Sequence, residues 1–184
     1  MPYFRASVEP SASDLEVPRD GGSEGTSDVP RLRLLDGEVE RAQPATCAAP
    51  RRIRRVDVFH AKVAARPLPG GLGNEDVFCT EYGGGFVGMS FRFFDPESGQ
   101  WSIYWADSRR PGLLDPPVIG SFAGDTGIFE GDDALDGRPI RVRFTWSGIT
   151  TPRPRWEQAF SDDGGQTWET NWTMDFTRAL EAAS

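Results

Sequence analysis

The sequence predicts an all-β fold, an antiparallel up-and-down barrel of about 8–10 strands behind an irregular N-terminal tail. Three observations carry this expectation. From Val56 onward, short runs of β-branched and aromatic residues recur between Gly, Pro, Asp or Ser clusters, at intervals near ten residues. No stretch before residue 177 repeats apolar side chains at the three-and-four spacing of an amphipathic helix. The connections are short throughout, which suits a meander that closes on itself.

The tail is set off by composition. Of the 21 aromatic residues, only Tyr3 and Phe4 precede residue 56, and all six tryptophans lie at 101 or later. The first 55 residues hold six prolines and polar stretches such as Gly21-Gly-Ser-Glu-Gly-Thr-Ser-Asp28. Such a segment buries too little apolar surface to offset the entropy of ordering it. Residues 1–55 are therefore read as disordered or irregular, and 56–184 as the barrel domain. The tail is also split in charge, net −4 over 1–30 and net +4 over 31–55. Its one basic run, Arg51-Arg52-Ile53-Arg54-Arg55, reads as solvated or paired with the acidic body, with a patch for RNA or an acidic partner as the alternative.

Charge and composition exclude several functions. Twenty basic and 28 acidic side chains give the 184-residue chain a formal charge of −8, against the basic face of a nucleic-acid binder. No apolar run is long enough to span a membrane, and residues 1–30 lack the apolar core of a secretory signal. A reducing cytoplasm is the expected location, with Cys47 and Cys79 as free thiols. One histidine and two cysteines cannot form a Cys/His zinc cage, and no metal or cofactor is expected. Nineteen of the basic residues are arginine, against the single Lys62, a bias that fits a GC-rich bacterial coding sequence.

Taken in order, the expected strands are 55–63, 74–82, 85–94, 100–106, 117–122, 126–131, 138–147, 154–161 and 167–177, with a short helix over 177–183. Gly70-Gly-Leu-Gly73 lacks the spacing of a dinucleotide fingerprint and reads as a turn. Gly131-Asp-Asp-Ala-Leu-Asp136-Gly could clamp calcium but lacks the EF-hand spacing, so it reads as a Leu-Asp-Gly hairpin turn. Cys79, inside a β run, reads as a small buried hydrophobe. His60, the only imidazole, reads as an ordinary strand histidine, with a general base as the sharper alternative.

Alternation in the last strands is clean. Ile140, Val142, Phe144 and Trp146 oppose Arg141, Arg143 and Thr145; Trp156, Gln158 and Phe160 oppose Arg155, Glu157 and Ala159. In 167–177, Trp168, Thr170, Trp172, Met174 and Phe176 oppose Glu169, Asn171, Thr173 and Asp175. Period two places each set on one face, and the tryptophan face is expected inside. On the outer face Arg143, Glu157 and Asn171 would form a polar ladder, which becomes functional only if that face lines the lumen.

Between the last two strands, Ser161-Asp-Asp163-Gly-Gly165-Gln-Thr167-Trp168 fits S-x-D-x-G-x-T-W and resembles the Asp-box hairpin of sialidases. The Asp is expected to accept backbone N–H bonds across the turn and the glycines to supply positive φ. One copy in so short a chain predicts a stabilised hairpin, not a sialidase. With 162–166 as the loop, Phe160 would face Trp168 and Trp156 would face Trp172.

Several stretches also resemble a bacterial family of lipocalin-like (calycin-type) β-barrels. They include Trp101-Ser-Ile-Tyr-Trp-Ala106, Gly137-Arg-Pro-Ile-Arg-Val-Arg-Phe144, Arg155-Trp-Glu-Gln-Ala-Phe-Ser161 and Trp168-Glu-Thr-Asn-Trp172. The resemblance implies a small barrel and brings no agreed activity with it. Such proteins open with a strand carrying Gly-x-Trp, and residues 1–55 contain none. The first strand is then missing, replaced by 31–38, or supplied by a partner. An open sheet edge would favour a homodimer.

The expected function is binding of a hydrophobic small molecule, apolar or aromatic, in an aromatic-lined cavity, since barrels of this size can hold one ligand. Trp101, Trp105, Phe144 and Trp146 are the candidate walls on the earlier strands, and Trp156, Gln158, Thr170 and Trp172 on the later ones. Gln158, Thr170 and Arg92 are candidates to orient the ligand. Two alternatives stay open: a cofactor-free isomerase or cyclase using the same cavity, with Glu157, Tyr104 or His60 as acid or base, and an interaction module with a filled core.

Overall fold

The computed structural model describes residues 5–8 and 57–177. Nine antiparallel strands form one strongly curled sheet, in which each strand from β2 to β10 pairs with the next along the chain. They are β2 (Phe59–Pro67), β3 (Gly73–Thr80), β4 (Phe86–Asp95), β5 (Gln100–Asp107) and β6 (Val118–Ala123). β7 (Thr126–Leu135), β8 (Arg138–Ser147), β9 (Arg155–Ser161) and β10 (Glu169–Asp175) complete the meander. Among the described residues the only helical pieces are two three-residue 3₁₀ turns, Pro69–Gly71 and Tyr82–Gly84.

An odd-numbered meander ends with its first and last strands running the same way, so those two edges cannot be joined by another antiparallel ladder. The backbone of β1 (Arg5–Val8) lies between them, pairing in parallel with both, Ala6 opposite Phe59 on β2 and Met174 on β10. The position of the missing first strand is thus taken by a segment that the sequence assigns to the tail. The rest of 1–56, including 31–38, lies outside the described residues, as do residues 178–184, most of the expected terminal helix.

Each expected strand has a counterpart, and the ends move for local reasons. β2 begins four residues late and runs to Pro67, because the turn Pro69–Gly71, closed by Leu68 N–H donating to Gly73 O at 2.9 Å, sets where the hairpin with β3 reverses. β7 continues to Leu135, because Asp136 (φ 51°) and Gly137 (φ 76°) supply the two left-handed residues of a tight two-residue turn. Cys79 alternates outward on β3 between buried Phe78 and Thr80, and its thiol is free and exposed, correcting the buried reading.

Inward residues follow period two. Phe59, Ala61 and Val63 from β2, Phe78 from β3, Phe129 from β7 and Val142 from β8 are buried. One part of the interior is filled by rings. Phe94 packs on Trp101 with centroids 5.1 Å apart, and Phe122 on Phe129 at 5.2 Å. The remainder of the lumen is hollow, and that hollow is the candidate site.

Candidate functional site

An open-mouthed cavity of about 630 Å³ is lined mainly by the inner faces of β3–β5 and β7–β10, with Val63 of β2 and Val118 of β6. Aromatic side chains make most of its apolar wall. Trp172 stands at the junction, edge-on to Phe78 (5.8 Å), Trp105 (6.2 Å) and Trp156 (5.6 Å). Phe144 packs edge-on against Trp156 at 4.9 Å, and Trp146 stacks on Phe176 at 5.4 Å. Trp105 can lie against the β4 backbone because residue 88 is glycine; a Cβ there would collide with the indole.

Of the eight residues nominated from sequence, Trp105, Phe144, Trp146, Trp156, Gln158 and Trp172 line this cavity. Trp101 and Thr170 do not. Trp101 is buried in the ring-filled part of the interior against Phe94. Thr170 pairs with Ala159, whose side chain alternates to the outer face. The cause is a bulge: the β9–β10 register shifts between Thr170 and Trp172, so Asn171 is inserted and the two halves of β10 turn opposite faces inward. The expected partners are accordingly revised. Glu169, not Trp168, faces Phe160, and Met174, not Trp172, faces Trp156.

The bulge also dissolves the expected polar ladder. Asn171 turns into the cavity wall, 2% exposed, where its Oδ1 accepts from Gln158 Nε2 at 3.0 Å. Arg143 stays outside, donating to Glu130 at 2.7 Å and stacking its guanidinium 3.9 Å above the Trp168 ring. Glu157 pairs with Arg155 at 2.9 Å. Neither Glu157, Tyr104 nor His60 reaches the cavity: Tyr104 packs on Phe93 at 6.0 Å on the opposite face of β5, and His60 is exposed on β2.

Of the acids and bases that do line the cavity, the sequence singled out Arg92 and, as a possible calcium clamp, Asp132, Asp133 and Asp136; Asp76, Asp107, Arg109, Arg110 and Asp115 were not singled out. On β4, Arg92 is 5% exposed and forms a buried ion pair with Asp76 of β3, while its Nη1 donates to Asn74 Oδ1 at 3.0 Å. Its guanidinium carbon sits 5.9 Å from the Trp146 ring centre. At the end of β5, Asp107 takes a two-point contact from Arg109, at 2.8 and 3.1 Å, and the Trp105 indole N–H at 3.4 Å. Burial alone would raise the Asp107 carboxyl, but the Arg109 side chain and backbone N–H outweigh it and hold the pKa at about 2. Arg109 in turn covers the Phe86 ring at 3.8 Å. β5 pairs with β6 only through Trp101, Ser102 and Ile103, so the chain leaves the sheet after Asp107. The loop that follows, anchored by Asp107 and by Asp115 N–H donating to Trp105 O at 2.8 Å, supplies Arg109, Arg110, Asp115 and Pro116 to the wall. Across from it, the β7–β8 hairpin tip contributes Asp132, Asp133 and Asp136.

The Asp-box loop forms as expected, but on the outside. Asp163 accepts from the backbone N–H groups of Gln166 (2.9 Å) and Thr167 (2.9 Å) and from the Thr167 and Ser161 hydroxyls, both at 2.7 Å. Those bonds, led by the ones from Thr167, hold its carboxyl far below the usual range. Gly164 and Gly165 carry positive φ, and Trp168 donates to Gly165 O at 3.0 Å.

No protein-family model, curated protein or solved structure matches this chain. No helix among the described residues is long and apolar enough to cross a membrane.

Proposed function

We propose that this chain binds an apolar or aromatic small molecule inside a lipocalin-like barrel. The observation that carries the reading is the cavity itself: about 630 Å³, walled by Trp105, Phe144, Trp146, Trp156 and Trp172, within the range of roughly 300–1,000 Å³ typical of small-molecule sites. A packed interaction module has no use for such a void, because unfilled volume forfeits the dispersion contacts that stabilise a core. The enzyme alternative loses its three nominated acids and bases to the outer surface, and Asp76 and Asp107, which do line the cavity, are tied to Arg92 and Arg109, so the binder is the preferred reading.

The test is titration with a neutral apolar fluorophore, N-phenyl-1-naphthylamine. Saturable 1:1 binding with quenching of tryptophan emission is expected. Binding should also stabilise the fold by about 2.7 kcal/mol at a hundredfold excess over Kd. Val142→Phe, which places a ring in the cavity, should abolish binding and leave the fold intact. Absence of saturable binding and of any rise in Tm, for this probe and for a panel of neutral aromatic compounds, overturns the proposal.

A further inference from the structure

We infer that the cavity selects a neutral aromatic compound bearing a hydrogen-bond acceptor, such as a ketone or ester, over both the bare hydrocarbon and the corresponding carboxylate. The inference rests on the binding reading above and adds the ligand's polarity and charge.

The acceptor follows from unmet donors carried by residues of the wall. Arg92 Nε, Asn171 Nδ2 and Trp172 Nε1 are buried and have no hydrogen-bond partner among the described residues, and all three residues line the cavity. Guanidinium and indole are donors only; no rotation turns either into an acceptor. Arg92 spends its Nη atoms on Asp76 and Asn74, which leaves Nε–H as its free direction. Asn171 spends its Oδ1 on Gln158, which leaves its NH₂ group. A buried donor without a partner is costly, so a ligand that supplies an acceptor gains where a hydrocarbon gains nothing. The same three groups have little to offer a ligand that carries only donors.

Neutrality follows from the charge around the lumen. Among the described residues, six aspartates border it, Asp76, Asp107, Asp115, Asp132, Asp133 and Asp136, with the Asp132 side chain 92% exposed at the rim, against Arg92, Arg109 and Arg110. Each of those cations already has a carboxylate partner: Asp76 for Arg92, Asp107 for Arg109 at 2.8 Å, and Asp115 for Arg110 at 2.8 Å. Asp132, Asp133 and Asp136 remain in excess by count among the described residues, with Asp133 also within electrostatic reach of Arg110. Asp132 has only a distant share of Arg141, at 3.6 Å, and Arg141 is bonded more closely to Glu130 at 3.0 Å. An anionic ligand would meet surplus negative charge at the hairpin tip and, among the described residues, no uncommitted cation inside. Arg92 is neutralised where it stands, so it offers a hydrogen bond without calling for a charge.

Three matched probes separate these terms on the unmodified protein at pH 7: 2-acetylnaphthalene, 2-ethylnaphthalene and 2-naphthoate, titrated by tryptophan quenching and by calorimetry. The ketone is expected to bind about tenfold tighter than the hydrocarbon, the worth of one hydrogen bond to a buried donor, and also tighter than the acid. Trp172→Phe keeps a ring and removes one N–H, and should narrow the gap between ketone and hydrocarbon. Equal binding of ketone and hydrocarbon overturns the acceptor inference and leaves the cavity reading standing. Tightest binding by naphthoate overturns the charge argument. Failure of all three to bind overturns the cavity reading together with this one.

Discussion

Trp156 and Trp172 meet edge to face, ring centroids 5.6 Å apart at 86°, although neither is the other's backbone partner. The contact is diagonal across the β9–β10 ladder: Trp172 sits opposite Gln158, two residues along from Trp156. Large rings reach diagonal neighbours on a sheet face, so the pair survives a register shift that reassigns every partner around it. Trp156 is buried, and Trp156→Ala should cost about 3–5 kcal/mol. Urea denaturation measures this, and a loss under about 1 kcal/mol would contradict its place in the core.

Asp107 ties the loop after β5 to the cavity wall, and its carboxyl sits at about 2 against an ordinary 3.8. A lowered pKa means that the charged form stabilises the fold: the contribution is complete above about pH 4 and disappears as pH falls through 2. Asp107→Asn should therefore destabilise the protein at pH 7, and the gap from wild type should close between pH 4 and pH 2. A gap that stays constant over that range would show that the charge of Asp107 is immaterial.

Gly88→Ala should drive Trp105 off the β4 backbone into the lumen, since the added Cβ and the ring cannot share the space. Affinity for N-phenyl-1-naphthylamine should fall several-fold while the far-ultraviolet spectrum stays β-type. Thr170→Trp, on the outer face, is the control and should leave affinity unchanged; loss of binding there would place Thr170 in the wall.

Asp163→Ala removes the acceptor shared by Ser161, Gln166 and Thr167. Amide exchange at Gln166 and Thr167 should accelerate strongly, with probe affinity preserved, because the loop lies away from the cavity. Unchanged exchange at both amides would mean that the glycines alone hold the turn.

Deletion of residues 1–10 removes β1 and exposes the edges of β2 and β10. Unpaired edges invite pairing between copies, so the truncated chain should melt lower and self-associate on sizing chromatography. A monomer with unchanged Tm would show that the curled sheet is stable without its parallel closure.

The antiparallel order of β2–β10 was legible residue by residue, because short strands, turn residues and period-two patterning are local properties. The inner face of β8 and β9 could be read the same way: Ile140 through Trp146 and Trp156 through Phe160 alternate without interruption, and burying that apolar set is what selects the face. The Asp-box hairpin was equally legible, since its hydrogen bonds join residues only two to four apart.

Tertiary structure decided what local pattern cannot carry. Alternation continues on paper through 167–177, yet one extra residue at Asn171 turns Trp168 and Thr170 outward and brings an amide inward. A bulge is defined by its partner strand, so it leaves no mark in a single strand's alternation. Trp101 and Trp105 share a face of β5, but only Trp105 borders empty space, a distinction set by neighbours from distant strands such as Phe94 and Trp172. The polar lining arises likewise from long-range meetings: Arg92 with Asp76 across β3 and β4, and the acidic hairpin tip across from the loop held by Asp107. Sequence by itself determined the class, the strands and most of the aromatic wall, because hydrophobic periodicity is encoded within each strand. Only the assembled sheet decided where the void lies and which donors and charges face it, because each of those depends on residues brought together from different strands.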